Sequence, residues 1–170
     1  MKALILVDLE KEYIDPNSDY YLKNTAPVIK RVNKLIDFYR GKRDKIIFIK
    51  HVEKGSNSVF AEHSQNIELI TALHHKEGDA VIVKNKISSF YKTNLEKELG
   101  NIKEIIICGF LTNLCVRSLA EEAYDRDFKI TIVKDCCKAF DTKTQEFTLK
   151  DLKVTREEIK MVNMKDVLRD

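Results

Sequence analysis

The chain has 170 residues, enough for one continuous core, and its charged residues, 34% of the total, nearly cancel to a net +3. No block of like charge marks a nucleic-acid or membrane footprint, so the expected partner is a small molecule, with no nucleic acid and no membrane involved. No apolar run reaches the length of a membrane span, and the opening "MKALILVDLE" meets Asp8 too early for a signal peptide and shows no small-residue cleavage site, so a cytoplasmic location is expected.

The first predicted element is a strand at "KALILV" (2–7), closed directly by Asp8. After the irregular stretch "DPNSDYYLKN" (15–24), a helix is predicted over "APVIKRVNKLIDFYR" (26–40) and a strand at "KIIFIK" (45–50). The polar segment "VEKGSNSVFAEHSQ" (52–65) reads as a loop over a site, followed by a helix at "NIELITALHHK" (66–76) that would leave His74 and His75 exposed. The strand "DAVIVK" (79–84) comes next, then a short helix at "NLEKELG" (94–100) and the strand "EIIICG" (104–109). A helix over "LCVRSLAEEAYDR" (114–126) leads to "KITIVK" (129–134), and a weaker sixth strand lies near "EIKMVNM" (158–164). Near-continuous apolar strands suit a parallel sheet buried on both faces. Their alternation with helices predicts one α/β domain over 1–170: three layers, α/β/α, with a Rossmann-like, mostly parallel six-stranded sheet and right-handed crossovers.

In such sheets ligands bind beyond the carboxyl ends of the strands, near the point where strand order reverses. Asp8, Lys84, Cys115 and Asp135 each stand at or just past a predicted strand end, so these four side chains are expected to converge on one edge of the sheet. None of the four cysteines, Cys108, Cys115, Cys136 and Cys137, shows CxxC spacing, so all are expected to be free thiols. Cys108, inside a strand, reads as a packed structural thiol. Cys115 instead falls near a helix start, where unpaired N–H groups favour a thiolate.

A thiolate that attacks a carbonyl needs a base, a charge that favours ionisation, and donors for the developing oxyanion. Asp8 is suited to take the thiol proton and return it to a leaving amine, Lys84 to hold both anions, and the bend before Cys115 to offer backbone N–H groups. Alone, each residue has a plainer reading as a packed thiol, a cap carboxylate or a solvated lysine; their joint position argues for chemistry.

Three ordered segments carry a resemblance: "LILVDLEKEYIDP", "GDAVIVKNKISSFYKTNLEKEL" and "IIICGFLTNLCVRSLAEEAYDRDFKITIVKDCCKAFD". Together they resemble the isochorismatase-like cysteine hydrolases, the superfamily of nicotinamidase and N-carbamoylsarcosine amidohydrolase. The resemblance implies a triad of Cys115 as nucleophile, Asp8 as general base and acid, and Lys84, preferred over Lys86, as electrostatic partner. It also implies a cis peptide at Phe110–Leu111, an oxyanion hole of the Leu111 and Cys115 backbone N–H groups, and a bend shaped by Thr112 and Asn113. The implied reaction is hydrolysis of a small amide or carbamoyl compound through a thioester, with no cofactor required, in a homo-oligomer, either dimer or tetramer.

Departures from the family pattern narrow this reading. Nicotinamidases carry an Asp-x-His pair after the second strand, where this chain has His51 and Glu53 in the reverse order. Zinc on His51, Glu53 and His63 is the alternative, since imidazole and carboxylate suit that ion, but two ligands at i, i+2 with a distant third form a weak set and no metal is favoured. His51 is assigned to the pocket wall instead, with Tyr13, Phe90, Phe110 and Thr112. Glu10 and Tyr13 replace the Gln and Phe common in the family opening, and Cys136 and Cys137 are assigned structural roles, with an oxidisable thiol as the lesser option. The competing functions are a nicotinamidase with an altered metal site, a non-catalytic binder of this fold and a redox-responsive thiol protein.

Overall fold

The computed structural model describes residues 1–169. Six strands, β1 (Ala3–Val7), β2 (Lys45–His51), β3 (Ala80–Lys84), β4 (Glu104–Phe110), β5 (Lys129–Lys138) and β6 (Lys160–Val162), form one sheet in the order β3-β2-β1-β4-β5-β6. Every strand pair is parallel. The central strands are apolar throughout because both of their faces are covered: all five residues of β1 are buried. Helices α1 (Ala26–Gly41), α2 (Leu95–Leu99), α3 (Arg117–Tyr124), α4 (Thr142–Thr155) and α5 (Met164–Val167) complete the expected α/β architecture. The chain first advances from β1 toward β3 and then returns to β4 and onward, so right-handed crossovers put α1 on one face and α3 and α4 on the other.

Two elements differ from the sequence expectation. The helix predicted at 66–76 is absent; a 3₁₀ turn at Gln65–Ile67 is followed by extended chain and turns. Buried Ile67, Ile70 and Leu73 recur at helical spacing, but Lys11 N donates to Glu68 O at 2.9 Å and Ile70 N to Leu9 O at 3.0 Å, which pins the segment alongside the end of β1. Asn33 of α1 ties its far end by bonding Ala72 O and His74 N. Tertiary hydrogen bonds thus override the local pattern. His74 and His75 are exposed, in irregular chain rather than a helix.

Helix α4 arises where no helix is predicted. Only Thr148 and Leu152 are buried along it, too few for a visible apolar stripe, and its start is set by Asp141, whose side chain accepts from Thr144 N at 2.8 Å. The fifth strand also runs further than expected, through "DCCK", with an irregularity between Ile107 and Gly109 of β4 that lets β5 bulge.

Gly109 is paired inside β4 rather than ending it. Its φ is +138°, and a Cβ there would overlap the backbone of Val7. Glycine is therefore required by the close approach of β4 to β1, the two parallel strands between which strand order reverses.

Candidate active site

Asp8 lies immediately past β1 and Leu111 immediately past β4, on either side of the switch point where an open α/β sheet leaves a crevice. Both are non-glycine residues in left-handed backbone, Asp8 at φ 50° and Leu111 at φ 56°. Such conformations cost roughly 1–3 kcal/mol each and persist where the surroundings over-determine them. From Leu111 the chain enters a π-helical turn, Thr112–Val116, closed by Val116 N donating to Leu111 O at 3.3 Å, and runs on into α3. Cys115 sits within this turn. The Phe110–Leu111 peptide is trans, contrary to expectation; the chain turns through the left-handed Leu111 instead.

Lys84 is the last residue of β3, and its side chain reaches past the end of β2 into the crevice. Its Nζ lies 2.9 Å from Asp8 Oδ2 and 3.3 Å from Cys115 Sγ, and also donates to Lys86 O at 3.2 Å. Asp8 and Lys84 are sealed from solvent, and beyond this ion pair neither Asp8 oxygen accepts a hydrogen bond of good geometry from the protein. Burial works against the Lys84 charge, but the Asp8 carboxylate and Cys115 beside it prevail and hold its pKa above the ordinary lysine value. Lys84 therefore stays an ammonium ion.

The thiol behaves differently from the sequence expectation. Burial first, and then the Asp8 carboxylate, push the Cys115 pKa up, while Lys84 pulls it down without prevailing. A position near a helix start does not overcome a dry environment beside a carboxylate. At rest, then, the site holds a neutral thiol against an Asp8–Lys84 ion pair.

His51 ends β2 and stands between these groups. Its Nδ1 faces Lys84 Nζ at 3.3 Å and its Nε2 faces Glu53 Oε1 at 3.4 Å. Burial and the Lys84 charge lower its pKa, so the neutral ring with its proton on Nε2 serves both neighbours. An ammonium ion at one ring nitrogen is unsuited to a zinc ligand. His63 is exposed, and among the described residues no three His, Cys, Asp or Glu side chains are grouped to hold an ion. The His51, Glu53 and His63 set therefore does not fit zinc.

Aromatic rings cover the crevice. Tyr13 packs edge-on against Phe110 at 5.8 Å between centroids and at a tilt against Phe60 at 5.7 Å, and Phe60 meets the His51 ring at 5.2 Å. Tyr20 and Phe140, both partly exposed, extend the cluster outward. Tyr13, His51 and Phe110 thus gather where expected. Phe90 does not: it packs against Phe128 and beneath the Arg126 guanidinium. Thr112 is buried, with its hydroxyl committed to Gln145 Oε1 of α4 at 2.6 Å, so it braces the bend and leaves no hydroxyl proton for a ligand. Asp135 also stays apart, its carboxylate held by Arg31 of α1 and by Met164 N at the start of α5.

Three contributors escape the sequence reading. Phe60 is the lone aromatic residue of the polar segment 52–65, a usable signal. Gln145 belongs to the unpredicted α4. Glu10, noticed only as a departure, is completely buried and accepts the backbone N–H of His51. All four cysteines are free and buried.

Comparison with known proteins gives the family and the fold. Residues 2–160 match the Isochorismatase domain. Nicotinamidase 3 of Arabidopsis thaliana is 26% identical, over 88% of this chain and 79% of its own length. Among solved structures, a cysteine hydrolase from Pseudomonas syringae pv. phaseolicola superposes with a TM-score of 0.91 at 24% identity, covering 99% of this chain and 91% of that one. The N-carbamoylsarcosine amidase of Thermoplasma acidophilum gives 0.82 at 21% identity, covering 96% of each chain. With a domain match over nearly its whole length and a sheet of the same architecture, the chain belongs to the isochorismatase family of hydrolases.

Proposed function

We propose that this protein is a cysteine amidohydrolase that cleaves a C–N bond of a small amide or carbamoyl compound through a thioester on Cys115. One observation carries the reading: a single buried ammonium ion, Lys84 Nζ, is within 3.3 Å of Cys115 Sγ and 2.9 Å of Asp8 Oδ2, so nucleophile, base and countercharge share one dry crevice. A thiol beside a buried ammonium–carboxylate pair is the arrangement that nucleophilic catalysis requires.

The steps follow from these positions. As Sγ attacks the carbonyl carbon, Asp8 takes the thiol proton, so the thiolate forms only as the bond forms; this suits a thiol that is neutral at rest. The carbonyl electron pair moves to oxygen, which the backbone N–H groups of Leu111 and Cys115 receive at the bend. Asp8 then gives its proton to the nitrogen, the C–N bond breaks, and ammonia or an amine leaves the acyl group on sulfur. A water molecule, deprotonated by Asp8, attacks the thioester carbonyl, and the proton returns to sulfur as the acid departs. Lys84 balances the charge on Asp8 and on sulfur throughout. Tyr13, His51 and Phe110 form the substrate wall, joined by Phe60. The reaction draws on no metal and no redox cofactor, and we place it in a cytoplasmic homo-oligomer, dimer or tetramer, which light scattering on the purified protein will size.

The test is ammonia release by wild type and Cys115→Ala across small amides, ureas and carbamoyl amino acids, with nicotinamide assayed with and without zinc. Release by wild type and its loss in the variant is the expected result. Silence across the panel from folded protein, or release that survives in Cys115→Ala, would overturn the reading.

A further inference from the structure

The crevice holds a second carboxyl group that the proposed reaction leaves unused. Glu10 is completely buried; its Oε1 accepts the backbone N–H of His51 at the end of β2, and its Oε2, sealed from solvent, has no protein partner. Its backbone is fixed by a bridge to Leu69 and by the flanking bonds from Ile70 N to Leu9 O and from Lys11 N to Glu68 O. The side chain is therefore held where it is.

The groups facing Glu10 come from every element around it: Asp8 from the end of β1, Lys50 and His51 from β2, Lys84 from β3, and Tyr13 from the 3₁₀ turn Lys11–Ile14 that follows Glu10. Both cations are already committed, Lys84 to Asp8 at 2.9 Å and Lys50 to Glu68 at 2.7 Å. His51 is neutral and the Tyr13 phenol carries its proton, so neither supplies a positive charge. A carboxylate at Glu10 would be a second buried anion dependent on the one ammonium ion that serves Asp8 and Cys115. A carboxylic acid has no such conflict: its carbonyl oxygen still accepts from His51 N.

We propose that Glu10 is a positioning residue that works as a neutral carboxylic acid, holding the end of β2 in place and leaving Lys84 to Asp8 and Cys115. The proposal rests on the triad reading for its effect on turnover, but the protonation state of Glu10 does not depend on it. Burial and the nearby Asp8 charge, in that order, hold the Glu10 pKa well above the carboxylate range. When Glu10 does ionise, Lys84 is drawn toward a second carboxylate, and turnover falls on the alkaline side.

The decisive variant is Glu10→Gln, which keeps the acceptor for His51 N and cannot ionise. Its neutral-pH turnover is expected within about threefold of wild type, with the alkaline fall of kcat moved upward, whereas Glu10→Ala, lacking the acceptor, is expected to lose about tenfold. Unfolding by urea between pH 4 and pH 8 gives a readout free of turnover. The unfolded chain releases the Glu10 proton above about pH 4.3 while the folded chain keeps it, so wild type loses stability relative to Glu10→Gln as pH rises toward the folded pKa. The ratio of their unfolding constants should change by up to about tenfold per pH unit. Infrared spectra of the wild type at pH 7, with ¹³C-labelled glutamate, should contain a protonated-carboxyl band, and Glu10→Gln should lack it.

A carboxylate signal for Glu10 at pH 7, or parallel stability curves for the two proteins, would overturn the proposal even if amides are hydrolysed. A hundredfold loss of turnover in folded Glu10→Gln would also overturn it, since the acid proton itself would then be part of the chemistry. Should wild type hydrolyse nothing, the infrared and unfolding comparisons still decide the state of Glu10. Should Glu10→Gln fail to fold, absence of any protonated-carboxyl band from the labelled wild type at pH 7 would still overturn the proposal, and Glu10→Ala then assigns a band that is present.

Discussion

Lys84 Nζ and Asp8 Oδ2 face each other at 2.9 Å with neither side chain exposed to solvent. Removing one partner of such a pair leaves the other charge buried and costs about 3–5 kcal/mol, whereas removing both costs less. Asp8→Asn and Lys84→Met are each expected to lower the unfolding free energy by about that amount, and the double variant to recover part of it. Urea unfolding of the three variants checks this. A double variant whose loss equals the sum of the two single losses would mean that the residues are not coupled.

The pH dependence of the thiol has a definite sign. Burial and Asp8 raise the Cys115 pKa, so its thiolate fraction at pH 7.5 should lie below that of free cysteine, whose pKa is about 8.5. Alkylation of Cys115 by iodoacetamide is expected to be slow at pH 7.5 and to climb through the alkaline range. Asp8→Asn removes one of the raising influences and should speed alkylation at pH 7.5, by up to about tenfold for each unit that the pKa falls. Mass spectrometry of the labelled peptide gives the rates, and a slower Asp8→Asn would contradict the assignment.

At the switch point, Gly109→Ala would place a methyl group against the Val7 backbone. That contact involves main chain on both sides and cannot be relieved by a rotamer change, so a loss of about 3 kcal/mol or more is expected. An unchanged urea midpoint would show that β4 can move away from β1.

The bend that carries Cys115 is braced from outside. Thr112→Val removes the hydroxyl that donates to Gln145, and Gln145→Leu removes the acceptor. Each should cost about 1–3 kcal/mol because a buried polar group loses its partner, and the double variant should cost less than the sum. Activity toward the substrate identified by the amide panel should fall in kcat more than in KM if the brace holds the oxyanion donors in place.

How much of this was legible in the sequence depends on what each residue answers to. Strands β1, β2 and β4 are readable because burial on both faces forces continuous β-branched runs, β3 and β5 because they carry similar runs although one face of β3 is exposed, and Asp8, Lys84 and Cys115 because strand ends locate them. Gly109 is legible as the last residue of its predicted strand, but the reason for glycine there, the nearness of Val7, belongs to a strand about a hundred positions earlier. The segment 66–76 imitates a helix because three buried apolar side chains fall at helical spacing, while the bonds that forbid the helix come from Leu9, Lys11 and Asn33. Helix α4 had the opposite fate: it buries so little that periodicity cannot reveal it. Burial and then Asp8 raise the Cys115 pKa, and neither influence is a local property of the sequence.

Strand β3 has only one neighbour in the sheet, and Val81 and Val83 stand 41% and 44% exposed on it. It is an edge of the sheet, yet it delivers Lys84 to the crevice. Peripheral strands open more readily than central ones, at a free energy below that of global unfolding. Fraying of β3 from its carboxyl end would withdraw the ammonium ion while β1 and β4 keep Asp8 and the Cys115 bend in place. Inactivation on heating is therefore expected to precede the loss of the fold, since the site depends on an edge strand as well as on the core.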